Sequence, residues 1–139
     1  MRFLFSSVPL AAASIAFCLS AAPAFADKYP VAVFSGLDKT TARVTSFTAK
    51  VDEPASFGAL QVLVRACDKR PPEEPPQTAA YVEIRQIDRE AQDAVKPAPI
   101  FAGWMFAESP GLNGLEHPVY DIWVTDCKTS SGDASRASE

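Results

Sequence analysis

The fold is decided by residues 57–67, which read FGALQVLVRAC. Every second position from Leu60 onward is apolar, as in a strand that buries one face. That face consists of Leu60, Val62, Val64 and Ala66, and the opposite face of Gln61, Leu63, Arg65 and Cys67. The second face is itself mixed, which predicts a central strand that is covered on both faces for part of its length.

Further strands are indicated on both sides of this stretch by β-branched and aromatic residues with a period of two. They comprise residues 31–34, 43–51, 81–87, 100–106 and 119–127. A turn at residues 37–41 joins the first two into a hairpin, and Gly103 predicts a bulge or a close contact. No segment has an apolar period of about 3.6 residues, and we interpret residues 88–96 as an exposed loop.

These signals predict an all-β domain over residues 27–128. Short strands at roughly even spacing, with Pro and Gly between them, are typical of a single compact antiparallel β-sandwich or small barrel of about six or seven strands. Periodicity does not choose between the two. Residues 129–139 lack large apolar side chains and are rich in Ser, Ala, Asp and Glu, so we predict a disordered tail.

The first 26 residues have the pattern of a cleaved signal peptide. Arg2 is followed by an apolar run over residues 3–17, and Ala24 and Ala26 flank Phe25 at a small-x-small cleavage site. We therefore expect export to the periplasm. A lipoprotein anchored at Cys18 is the alternative, but the bulky Phe17 stands where such signals have a small residue.

Cys67 and Cys127 remain after cleavage, and an even count in an exported chain predicts a disulfide bond between them. The bond would close a loop of roughly 60 residues and stabilise the fold by at most about 4 kcal/mol. The alternative is two free, buried thiols.

Charge and hydropathy exclude several function classes. The 139-residue chain has 13 Lys and Arg against 17 Asp and Glu, a net charge of −4. Without clustered basic residues it is a poor ligand for nucleic acid or anionic lipid. No second apolar stretch approaches the length of a membrane span. Nothing in the sequence calls for a cofactor or a metal.

A proline-rich loop is the most unusual segment of the predicted domain. It follows Cys67 directly and combines charges with four prolines: Arg70, Pro71, Pro72, Glu73, Glu74, Pro75 and Pro76. Because proline fixes φ and disfavours helix in the residue before it, we expect an extended, stiff loop. Such a loop is a candidate partner-binding site, and a stiff connection between strands is the alternative.

Two other segments have a functional and a structural interpretation. In the first segment, Trp104 and Phe106 would share one side of a strand and Phe101 and Met105 the other. The functional interpretation is an aromatic platform for a ligand, and the structural one is core packing.

The second segment contains Glu116, His117 and Asp121 within six residues. The functional interpretation is an acid/base site, and the structural one is a group that makes hydrogen bonds within the fold. No HExxH or GxSxG motif accompanies them, and one His with two carboxylates offers too few zinc ligands.

Several of these segments together resemble the DUF2155 family of small exported alphaproteobacterial proteins. The resemblance covers roughly residues 31–128 and rests on blocks in the same order: GLDK (36–39), FGAL (57–60), RAC (65–67), GWMFA (103–107) and LEHPVYD (115–121). It implies compartment and lineage but no reaction and no catalytic residues. Family genes often lie beside one for a small accessory subunit of respiratory complex I, which is an association only.

Three functions are compatible with these observations. The leading hypothesis is a periplasmic binding or envelope-assembly module without catalysis, with an unknown protein or cell-envelope partner. The second is a carbohydrate-active hydrolase that uses Glu116 or Asp121 as acid/base. The third is an accessory factor of the respiratory chain on the periplasmic side.

We predict cleavage between Ala26 and Asp27, because small residues at 24 and 26 fit the peptidase subsites. N-terminal sequencing of the exported protein will begin at Asp27. A chain that begins at a lipid-modified Cys18 would contradict this prediction.

Overall fold

A computed structural model describes residues 27–87 and 98–129. The predicted signal peptide, the loop at 88–96 and all of the predicted tail except Thr129 lie outside these residues. The strands are β1 (Asp27–Lys28), β2 (Val31–Asp38), β3 (Arg43–Lys50), β4 (Pro54–Phe57), β5 (Leu60–Lys69), β6 (Thr78–Gln86), β7 (Phe101–Phe106), β8 (Leu115–Glu116) and β9 (Tyr120–Lys128). The described residues contain no helix long and apolar enough to traverse a membrane.

The strands form two antiparallel sheets. Sheet 1 has the order β5-β6-β7, and both β1 and β4 pair with the remaining edge of β5. Sheet 2 has the order β3-β2-β9-β8. This arrangement confirms the all-β prediction. Of the two predicted architectures, sandwich and barrel, the structure shows the sandwich. Nine strands replace the expected six or seven because β1, β4 and β8 are too short to show a period of two.

The stretch that decides the fold contains a turn and a bulge. Phe57 ends β4, and a two-residue turn leads to Leu60, its partner across the hairpin. Gly58 has a φ of 57°, which a tight hairpin turn requires at its first central residue. The stretch that we predicted as a single strand from residue 57 therefore consists of the end of β4, a two-residue turn and β5.

The bulge reverses the predicted faces at the end of β5. The β5–β6 register shifts between Val64 and Ala66, so one extra residue is inserted there. Cys67 consequently joins the core face and is 1% exposed, whereas Ala66 lies outward opposite Tyr81. The prediction that Ala66 shares the face of Val64 and that Cys67 lies on the opposite face was wrong, because simple alternation does not include a bulge.

The core lies between the two sheets. Sheet 1 contributes Leu60, Val62, Val64, Ala80, Val82, Ile84 and Met105, and sheet 2 contributes Ala32, Phe34, Ala49, Leu115, Ile122 and Val124. All are buried. Burial of a side chain of this size stabilises the fold by about 1.5–3 kcal/mol. Val62 and Val64 share one face of β5 as predicted, and together with Val82 and Ile84 of β6 they are fully buried.

An aromatic row crosses one end of this core. Successive ring centroids are 5.3 Å apart for Phe34 and Phe47, 5.0 Å for Phe47 and Phe57, and 5.7 Å for Phe57 and Tyr120. These rings come from β2, β3, β4 and β9, so the row joins both sheets. Gly36 is part of the arrangement, because a Cβ there would overlap the ring of Phe57.

The turn of the β2–β3 hairpin is fixed by one carboxylate. Asp38 Oδ1 accepts hydrogen bonds from Thr40 Oγ1 at 2.6 Å and from the backbone N–H groups of Thr40 at 2.8 Å and Thr41 at 3.3 Å. These bonds lower the pKa of Asp38 because they favour the ionised form, and the bond from the Thr40 hydroxyl has the largest effect. The predicted hairpin is confirmed.

The disulfide bond between Cys67 and Cys127 links the sheets. The two Cα atoms are 5.8 Å apart, within the usual range, and both residues are buried. It joins β5 to β9 near the end of each strand. The bond that we predicted is therefore present.

We expect Cys127→Ser to lower the free energy of unfolding by roughly 2–5 kcal/mol, because it frees a loop that spans 60 residues in the unfolded state. Urea denaturation measures the loss. Cys67→Ser alone and the double variant Cys67→Ser with Cys127→Ser are the controls. Each of the three variants lacks the same bond, so the loss in the double variant will be smaller than the sum of the two single losses. If the two single losses add in the double variant, the thiols are free.

Candidate functional site

A recess of about 580 Å³ lies between β7 and the β8–β9 pair. Its apolar lining includes Phe101, Leu115, Ile122 and Trp123, and the loop at residues 110–114 covers one side. Polar side chains in the lining are Asn113, Glu116 and Asp121. The recess therefore combines an apolar wall with carboxylates, as small-ligand sites do.

The two carboxylates of this recess have different environments. Glu116 and Asp121 are direct partners in the β8–β9 ladder. Asp121 forms an ion pair with Lys39, whose Nζ is 2.7 Å from Oδ1 and also donates to the His117 carbonyl at 3.0 Å. Glu116 is exposed, and no hydrogen bond or ion pair within the described residues involves its side chain. Of the two carboxylates, Glu116 is therefore the one without a side-chain partner among the described residues.

His117 does not line the recess and has local structural contacts. Its ring stacks on Tyr120 with centroids 5.8 Å apart, which extends the aromatic row by one ring. Its Nδ1 accepts a hydrogen bond from the Val119 N–H at 3.1 Å, and its own N–H donates to the Tyr120 carbonyl at 2.9 Å. The three residues proposed as an alternative polar site therefore do not converge on one point.

The proline-rich loop connects β5 to β6 and is partly folded back. The N–H of Glu74 donates to the Pro71 carbonyl at 3.1 Å, which makes a turn with Pro72 and Glu73 at its centre. The N–H of Arg70 donates to the Gln77 carbonyl at 3.0 Å and closes the loop. The expected extended path is therefore interrupted by a turn over residues 71–74.

A second recess, of about 370 Å³, lies beside this loop. It is lined by Arg70, Pro75, Pro76, Gln77, Phe106, Glu108, Ser109 and Leu112. Glu108 anchors its base, because Oε2 accepts a hydrogen bond from the Thr78 N–H at 2.9 Å. The second half of the proline-rich loop thus forms one wall of an apolar depression.

Leu112 belongs to both recesses and is 74% exposed. Its apolar side chain is open to contact with a partner that covers either depression. Leu112 was not among the predicted site residues. The available signal was a single large apolar side chain in a loop that otherwise consists of Pro110, Gly111, Asn113 and Gly114.

The aromatic strand β7 is divided between core and surface. Met105 is buried and Phe101 packs against the core, so the structural interpretation holds for this face. On the other face Trp104 is 39% exposed and meets the edge of Tyr81, with centroids 5.6 Å apart. Gly103 lies in an unbroken register, so no bulge forms there, and a Cβ would approach the Asn113 amide closely, at 3.2 Å.

An ion-pair network on the outer surface of sheet 1 was also missed. Arg65 Nη1 lies 3.1 Å from Asp52 Oδ1, and its Nε lies 3.4 Å from Glu83 Oε1. Arg85 Nη1 lies 3.2 Å from Glu83 Oε2. The hydrogen bond to Asp52 is the main reason that the pKa of Arg65 is raised. Arg65 is 13 residues from Asp52 and 18 residues from Glu83, and only the folded sheet brings these side chains together, so no local sequence pattern predicts the network.

Within residues 27–87 and 98–129, no three His, Cys, Asp or Glu side chains come together in a way that could hold a metal ion. The carboxylates of the first recess are two in number, and one of them is paired with Lys39.

Comparison with known proteins gives a family and one relative. Residues 32–127 match the model of a family described as "Uncharacterized protein conserved in bacteria (DUF2155)". The chain is 29% identical over 93 residues to the uncharacterized protein RP359 of Rickettsia prowazekii (strain Madrid E). The alignment covers 66% of this chain and 56% of the relative, so the chain spans little more than half of that protein. No solved structure matches.

We expect His117→Ala to lower the free energy of unfolding by about 1–2 kcal/mol, because it removes a hydrogen bond and a ring contact. Glu116→Gln, one residue away, is the matched control and will leave stability unchanged, since its side chain is exposed and unpaired. Urea denaturation of both variants measures the difference. Equal stability of the two variants would contradict a structural role for His117.

Proposed function

The chain belongs to the DUF2155 family, and since that family has no assigned activity, we propose from its surface that it is a non-catalytic binding or envelope-assembly module of the periplasm. The observation that carries the proposal is Leu112, 74% exposed between two recesses. A partner that covered this side chain would remove apolar area from water, which contributes about 25 cal/mol per Å². The disulfide bond is in keeping with an oxidising compartment.

The proline-rich loop is the second support for binding. Pro75 and Pro76 line the second recess opposite Phe106 and Leu112. Proline restricts the backbone before any partner arrives, which lowers the conformational entropy lost on binding. Arg70, in the same wall, forms one long ion pair within the described residues, at 3.8 Å from Glu74, and offers a donor to a partner's carboxylate or carbonyl.

Catalysis is less well supported by the same contacts. A glycosidase needs two carboxylates with separate roles across the scissile bond. Asp121 is engaged by Lys39, and His117 is engaged by Val119 and Tyr120. The observation that favours a carbohydrate-active hydrolase is that Glu116 and Asp121 share a recess of suitable size. This hydrolase is therefore the second candidate.

We expect Pro75→Ser with Pro76→Ser, and separately Leu112→Ser, to weaken partner capture at least tenfold. The measurement is mild crosslinking in intact cells, followed by purification and identification of partners by mass. Pro71→Ser with Pro72→Ser is the matched control, because these two prolines lie in the same loop but outside the second recess.

The melting temperatures of the two double proline variants and of Leu112→Ser are measured alongside this experiment. If the proline variants unfold the domain and no partner is lost, the loop is structural and the proposal fails. If Glu116→Gln abolishes a measured hydrolytic activity at unchanged melting temperature, the hydrolase replaces the binding module.

A further inference from the structure

The free edges of the two sheets are not equally protected. A strand edge exposes unpaired N–H and C=O groups that can pair with another chain, and proteins usually shorten, cover or charge such edges. Among the described residues, β1, β4 and β8 have four residues or fewer. The long edge strands are β7 and β3.

The edge of β7 is covered by the loop that follows it. The Asn113 side-chain amide donates to the Trp104 carbonyl at 2.7 Å, and the Ser109 N–H donates to the Phe106 carbonyl at 3.3 Å. Two of its outward carbonyls therefore already have partners, and the covering loop blocks a further strand.

Within residues 27–87 and 98–129, no loop makes a comparable hydrogen bond to residues 44–48 on the outward edge of β3. This strand runs for eight residues in unbroken register with β2, from the pair Val31 and Lys50 to the pair Asp38 and Arg43. The Val51 N–H donates to the Pro30 carbonyl at 2.8 Å. Because backbone groups in an antiparallel ladder alternate between pointing toward and away from the partner strand, this bond shows which residues of β3 point toward β2. It follows that the backbone groups of Val44, Ser46 and Thr48 face away from β2.

These outward positions lack the usual protection. β3 contains no proline and no bulge, and its charged residues, Arg43 and Lys50, stand only at its two ends. Val44 is 59% exposed and Ser46 is exposed. Among the described residues, no other strand pairs with this edge.

We propose that β3 receives an extended segment of a partner protein as a fifth strand of sheet 2, and that this segment carries acidic residues at both ends. Backbone hydrogen bonds to Val44, Ser46 and Thr48 would supply affinity, as in other strand-addition complexes. Arg43 has no ion pair within the described residues, and Lys50 has only an exposed contact of 3.7 Å with Glu53. Both cations are thus open to a partner's carboxylates.

A second copy of this chain is the less suitable occupant. Antiparallel pairing about a twofold axis would bring the Arg43 end of one β3 beside the Lys50 end of the other. Like charges within about 8–10 Å repel at physiological salt. The charges that attract an acidic segment therefore disfavour self-association, and this surface is separate from the recess beside the proline-rich loop.

The test uses two synthetic eight-residue peptides of alternating Val and Thr, one with Glu at both ends and one with Lys at both ends. Each is titrated into the isotope-labelled protein while backbone amide resonances are recorded. The Glu peptide will shift the amides of Val44, Ser46 and Thr48, and the Lys peptide will bind at least tenfold more weakly.

Two variants test the geometry. Ser46→Pro removes one outward N–H without touching the β2 ladder and will abolish binding. Arg43→Glu with Lys50→Glu will reverse the peptide preference, and this variant decides the matter if Ser46→Pro impairs folding. The variant Lys28→Glu reverses an exposed charge on β1 of sheet 1 and is the control, which will keep the peptide preference of the natural protein.

The inference is overturned if neither peptide shifts these amides, if the shifts map to another surface, or if charge reversal leaves the preference unchanged. It is also overturned if sedimentation shows that the protein associates with itself through β3, because a second copy would then be the occupant.

Discussion

Contact between the inward faces of the two sheets is the interaction on which the other features depend. Neither sheet can bury its apolar face alone, and the positions of the loops follow from how the faces meet. The disulfide bond between Cys67 and Cys127 and the ring pair of Phe57 and Tyr120 both cross this interface. They lie in different parts of it, so the sheets are joined by a covalent bond in one place and by aromatic packing in another. The recesses form where the core ends.

Alternation along the chain predicted the inward residues of β5 and β6 because both strands bury one face over most of their length. The disulfide bond was predicted from the even count of cysteines after the predicted signal peptide and not from the alternation. The alternation failed at Ala66 and Cys67, where an extra residue in the ladder exchanges the faces. A bulge is stabilised by tertiary contacts and has no local sequence signal. For the same reason Lys39 could not be connected with Asp121, 82 positions away in the sequence but 2.7 Å away in space.

The candidate site was only partly readable from the sequence. The proline-rich loop was found because its composition is unusual, and Glu116 and Asp121 were found because carboxylates are conspicuous. Leu112 was missed because a lone leucine becomes informative only when its exposure is known. The loop around it has two roles, since Asn113 and Ser109 cover the edge of β7 while Leu112 faces solvent. A protected edge and an exposed anchor thus arise from one short segment.

The pairing of β2 with β9 has a consequence for the order of folding. Sheet 1 is built from residues between 54 and 106 with β1 added at its edge, and its β4-β5-β6 strands are joined by short connections. Sheet 2 instead joins residues 31–38 to residues 120–128, contacts of high sequence separation that form slowly because a long loop must first close. A chain still being synthesised therefore has no central pair in sheet 2 until its last strand is available. Until β9 is added, the apolar face of sheet 1 lacks the Ile122 and Val124 side chains that cover it in the folded protein.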